Sequence, residues 1–145
     1  MPGLNWVPSM SVGIDEFDDA HQRFISILKE IADALAFGNP DLARNRCVAL
    51  LALAQEHGRR ELALLTRLNF PRIEIIAETQ TATQDNISAL LDTIVRAPAE
   101  ALGMIEGMQR AVVTYLLHGD INFKSFIEEL KNQGIWIDPE VSDKE

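Results

Sequence analysis

The chain has 145 residues, 47% of them hydrophobic, with a formal net charge of −9 and a pI near 4.7. That length predicts a single domain, 1–145, able to bury a core without covalent staples, and the lone cysteine, Cys47, excludes an intrachain disulfide. The negative field disfavours nucleic acid and anionic lipid, and the absence of an eighteen-residue apolar run or a signal-like start over Met1 to Pro8 predicts a cytoplasmic protein with no membrane partner.

An irregular arm is expected over Met1 to Ile14, with Trp6 packed against the helices that follow. The first helix runs from about Glu16 to Phe37, its stripe Phe17, His21, Phe24, Leu28, Ile31 and Leu35 stepping by four and three. Gly38, Asn39 and Pro40 end it and open the second, with Asn39 as N-cap and Pro40 in the first turn. The second helix reaches Leu68 along the stripe Ala43, Cys47, Leu50, Ala54, His57, Glu61, Leu64 and Leu68. Its arginines Arg44, Arg46, Arg59 and Arg60 alternate with apolar residues and read as a solvated face, and Cys47 reads as core packing. The third helix begins at Pro71 and ends near Ile94, with the stripe Ile73, Ile76, Gln80, Thr83, Ile87, Leu90 and Ile94. The fourth runs from Pro98 to about His118 along Met104, Met108, Ala111 or Val112, and Tyr115, with Gly103 and Gly107 permitting close packing. Asp120 opens a short fifth helix through about Leu130, and the acidic tail after Asp138 frays. Four helices of this length with short connections, and no competing strand alternation, predict an all-α fold. Its expected form is an up-down-up-down antiparallel four-helix bundle with an irregular N-terminal arm and a short C-terminal fifth helix, monomeric in solution.

Histidine and glutamate side chains interrupt the stripes of the first two helices. His21 lies on the core stripe of the first helix, and His57 and Glu61, four apart, stand one above the other on that of the second. A buried carboxylate without a partner is costly, so Glu61 requires a buried Lys or Arg, a shared proton or a metal. The stripes hold no Lys or Arg: Lys29 and Arg59 are off-face, and Arg67 sits beside the stripe near the helix end. A metal held by imidazole and carboxylate is then economical. The plainer alternative is a satisfied core histidine with a carboxylate that reaches back to water.

The chain resembles the hemerythrins. Trp6, Val12-Gly13-Ile14, Phe17-Asp18 and His21 are similar to the family's opening; His57, Glu61, Leu64-Leu65 and Phe70-Pro71 to its central pattern; Asp120, Phe123 and Phe126 to its close. The match spans Trp6 to Phe126. Family members hold two irons with five histidines, one Glu and one Asp. Carried over by register, the ligand positions His21, His57, Glu61 and Asp120 are kept, while Ile76, Gln80 and Tyr115 stand where three histidines are expected. Gly58 and Leu62 also depart from the family's Phe and second Glu, and His118 is out of register by three and reads as a surface residue. The three lost histidines serve one iron and the two retained serve the other.

The resemblance therefore implies a mononuclear site of two histidines and two carboxylates, with one iron per chain; zinc or manganese would accept the same donors. Gln80 and Tyr115 are expected to hydrogen-bond the carboxylates, with Tyr115 as an alternative direct ligand. Read without the family, Asp120 is a helix N-cap. A single iron cannot deliver two electrons to O₂ as a pair does. The expected function is thus redox or gas response, meeting O₂, peroxide or NO, rather than reversible oxygen carriage. The alternatives are a module whose metal state selects a protein partner, a di-iron oxygen-binding protein with Tyr115 or Gln80 replacing histidine, and a metal-free structural relic. No Ser-His-Asp set, phosphate-cradling glycine loop or dinucleotide fingerprint is present to mark an enzyme.

Overall fold

The structure, a computed structural model, describes residues 6, 8–114 and 121–135. The described residues are all-helical apart from turns and short connections. A 3₁₀ turn at Pro8–Met10 precedes α1 (Asp15–Ala36), α2 (Pro40–Arg67), α3 (Ile73–Arg96), α4 (Pro98–Thr114) and α5 (Ile121–Asn132). Among the described residues no helix is long and apolar enough to cross a membrane.

The helix limits follow local chemistry. At the end of α1 the chain turns left-handed at Gly38 (φ 72°), which lets Asn39 N–H donate back to Ala34 O at 2.8 Å. Asn39 then caps α2, its side chain accepting from Leu42 N–H at 3.2 Å with Pro40 in the first turn, as expected. At the end of α2 Asn69 takes the same left-handed role (φ 59°), and Phe70 N–H returns to Leu65 O at 2.9 Å. Pro71 lies in that turn, so α3 starts at Ile73 rather than at the proline.

The segment Ser11 to Ile14 before α1 is pinned rather than free. Asp18 accepts from Ser11 Oγ at 2.5 Å and from Val12 N–H at 2.8 Å, and Lys131 of α5 donates to the Gly13 carbonyl. Val12 and Ile14 are thereby held in the core beside Phe17.

α1 packs on α2 and α4, and α3 packs on α2 and α4. Contacts across α1 and α2 run in opposite chain order: Glu16 meets Arg60, His21 meets His57, and Glu30 meets Arg46 at 3.6 Å. Arg59 pairs with Glu56 at 2.7 Å. Arg46, Arg59 and Arg60 are thus matched by acids and form no basic patch.

The stripes of α1 to α3 are buried largely as the periodicity predicts, but α4 is rotated. Its buried face is Ala101, Ile105 and Gln109, while Met104, Met108 and Val112 are half-buried and Ala111 is exposed. The expected stripe was one position off because methionine and valine outrank glutamine in an apolar count. Gln109 is buried although neither amide atom has a hydrogen-bond partner among the described residues.

Cys47 packs in the core, its thiol against the Ile87 carbonyl at 3.7 Å. Burial pushes its pKa up to about 11 from 9.0. Two units mean roughly a hundredfold less thiolate. A disulfide reagent at pH 8 should therefore leave native protein unmodified for hours and label it within minutes in denaturant. Rapid native labelling would contradict this burial.

Candidate metal centre

The apolar core falls into two clusters, and a polar layer lies between them. One contains Leu28, Ile31, Leu50, Ile87 and Ile105; the other contains Phe17, Leu64, Leu65, Phe70 and Phe123. Along α1 the passage from one to the other crosses His21. Along α2 it crosses His57 and Glu61, and along α3 it crosses Gln80. Three helices thus interrupt their apolar stripes at one level.

Across this layer His21 Nε2 lies 3.2 Å from His57 Nε2, and His57 Nε2 lies 3.6 Å from Glu61 Oε2. One donor atom from each of the three residues falls within 4.8 Å of the others. Glu61 does not reach back to water; it is only 4% exposed. Its Oε1 accepts from Gln80 Nε2 at 2.8 Å, which leaves Oε2 turned toward His57. The rings are held from the side: His57 meets Phe17 and His21 edge-on, with centroids 5.2 and 4.9 Å apart.

The electrostatics leave His21 and Glu61 ready to donate electron pairs. Burial pushes the His21 pKa down to about 4, aided by repulsion from His57 and opposed by attraction to Glu61. At neutral pH its imidazole is uncharged. For Glu61, burial alone would raise the pKa. The close approach and attraction of His57, the hydrogen bond from Gln80 and the attraction of His21 outweigh it and hold the carboxyl below its ordinary value.

These donors fit a small divalent ion. Metal–ligand bonds of about 2.0–2.2 Å put tetrahedral neighbours roughly 3.3–3.6 Å apart; two of the three separations, 3.2 and 3.6 Å, lie near that spacing, and the third is within 4.8 Å. His21 Nδ1 is buried without a hydrogen-bond partner among the described residues, so that ring lacks the outer anchor metal-binding imidazoles usually have. The expected fourth ligand Asp120, together with Tyr115 and His118, lies outside the described residues. Ile76 is buried in the second apolar cluster, filling space rather than donating.

Gly58 belongs to this site, which the sequence reading did not show. A Cβ at Gly58 would sit 2.9 Å from Gln80 Oε1 and 3.1 Å from its Cδ. The missing side chain on α2 lets the longer one on α3 reach Glu61, a pairing visible only across two helices. Gly58→Ala should displace the Gln80 carboxamide. Losing a hydrogen bond to a charged group costs about 1.5–3 kcal/mol, against roughly 1 kcal/mol gained in helix propensity. We expect net destabilisation of about 1 kcal/mol by urea unfolding. In a Gln80→Ala background the same change should instead stabilise. Equal effects in both backgrounds would refute the coupling.

A cavity of about 250 Å³ adjoins the cluster, walled by all four helices of the ring. A second, of about 310 Å³, lies among Glu16, Asp19, Arg23, Glu56 and Arg60, and His57 borders both. No protein-family model matches the chain, and no curated protein matches it.

Proposed function

We propose that this chain is a hemerythrin-like, up-down-up-down antiparallel four-helix bundle that holds one iron and meets O₂, peroxide or NO in a redox or gas response. The observation that carries the reading is the polar layer: two imidazoles and a carboxylate from α1 and α2 converge at metal-ligand spacing between two apolar clusters. His21 and His57 would hold the ion through Nε2 and Glu61 through Oε2, with Asp120 as the fourth ligand. Few protein donors leave positions open to a small ligand, and bound iron supplies one-electron exchange there.

The chain's own residues set the conditions. Neutral His21 offers its lone pair without first losing a proton. Gln80 holds Oε1 of Glu61 and so orients Oε2 toward the imidazoles. Phe17 keeps His57 from turning out of the layer. The adjoining cavity lets a small molecule approach from a largely apolar side.

Elemental analysis of freshly purified protein tests the reading, with thermal unfolding before and after chelation. About one iron per chain and a lower melting temperature on chelation support it; two irons would favour the dinuclear alternative. A metal-free structural role is a second reading, favoured by the contacts Gln80 and His57 already make to Glu61. It predicts no metal and an unchanged melting temperature.

A further inference from the structure

We propose that the 250 Å³ cavity beside His21, His57 and Glu61 is a binding site for a ring-sized molecule bearing one hydroxyl, of the phenol or cyclic-alcohol class. The proposal goes beyond the iron reading and does not require the metal.

Volume is the first argument. A water accounts for about 30 Å³ of liquid, and an apolar cavity of about 150 Å³ holds benzene. A diatomic would leave most of this cavity unfilled, whereas a six-membered ring with one substituent fits it.

The distribution of polar atoms is the second. Phe24, Ala54, Ile76, Met108 and Val112 make apolar walls. Thr79 and Thr83 line the α3 side, but their hydroxyls donate to Ile75 O and Thr79 O of their own helix, both at 2.9 Å. Their donor protons are spent within the helix, which leaves only acceptor lone pairs toward the cavity, and their methyl groups add to the apolar lining. Asn86, which is exposed, marks the mouth. Among the described residues, the ionisable and amide side chains inside the mouth are His21, His57, Glu61 and Gln80, grouped around the Glu61 carboxylate.

That group is rich in acceptors. Glu61 Oε2 meets His57 Nε2 only at 3.6 Å, and the two facing imidazole nitrogens share one hydrogen bond between them. A ligand hydroxyl can donate to this group while its ring occupies the apolar remainder. A hydrocarbon leaves these acceptors desolvated, and a carboxylate meets the charge of Glu61.

Calorimetric titration of the chelated full-length protein with phenol, benzene and benzoate tests this. One phenol should bind per chain, about tenfold or more tighter than either benzene or benzoate. Thr83→Phe, which fills the cavity from α3, should weaken phenol binding about tenfold or more. Asn86→Phe at the exposed mouth decides the matter if Thr83→Phe does not fold, and should weaken phenol binding. No saturable phenol binding, equal affinity for benzene, or affinity unchanged in both variants would overturn the proposal. Metal uptake by the same preparation separates the two readings. Uptake without phenol binding defeats this proposal alone, and phenol binding without uptake defeats the iron reading alone.

Discussion

If the proposed site holds one ion per chain, His57→Ala should leave none retained through desalting and weaken the affinity measured by titration about a hundredfold or more. His57 is the node of the layer. Its Nε2 is 3.2 Å from His21 and 3.6 Å from Glu61, and among the described residues no other side chain makes a contact with both. Removing it leaves one imidazole and one carboxylate among the described residues. It also joins the two cavities that His57 borders, admitting water to Glu61. Glu61 keeps the hydrogen bond from Gln80 but loses the attraction of His57. Losing a polar partner of a buried charged group costs about 1.5–3 kcal/mol, and the retained bond and new water place this variant at the lower end. Protection of the Cys47 thiol reports whether the fold survives. A folded His57→Ala protein that still takes up one ion per chain would remove His57 from the site.

The chelated protein loses stability as pH falls from 6.5 to about 4, by about 3 kcal/mol from His21 alone. The sign follows from proton binding. Below 6.5 the unfolded chain protonates this imidazole, whereas the folded protein resists until about 4. The unfolded state therefore binds more protons across that window, and stability rises with pH through it. The stabilisation is fully present above the unfolded value and gone below the folded one. Glu61 acts in the same direction at lower pH. Its folded pKa lies below the ordinary carboxylate value, so its contribution is lost as pH falls through that depressed value. Urea midpoints from pH 7.5 to 4 should decline, and His21→Gln should flatten the upper part of the decline. A wild-type midpoint constant over that range would contradict the buried, neutral state of His21.

The helices were legible because each turn is written in local chemistry. Asn39 with Pro40 predicts the start of α2, and the observed cap is the one those residues form. Pro71 misplaced the start of α3 by two residues, since a left-handed Asn69 extends the turn beyond it. The α4 face was misjudged because Gln109 is buried against ordinary preference. Within the site, periodicity placed His21, His57 and Glu61 on inward faces, and the structure brings those three together. Their common level between two apolar clusters was not legible, because it depends on how three helices are offset lengthwise. The Gly58–Gln80 fit was hidden for the same reason: a glycine in a helix signals nothing until its neighbour across the interface is known.

Optical titration of the chelated protein with Co(II), a coloured stand-in for iron, tests the central claim most directly. Ligand-field bands should grow linearly, break at one equivalent per chain, and be absent in His57→Ala. Bands that never saturate, a break at two equivalents, or the same spectrum in His57→Ala would contradict it.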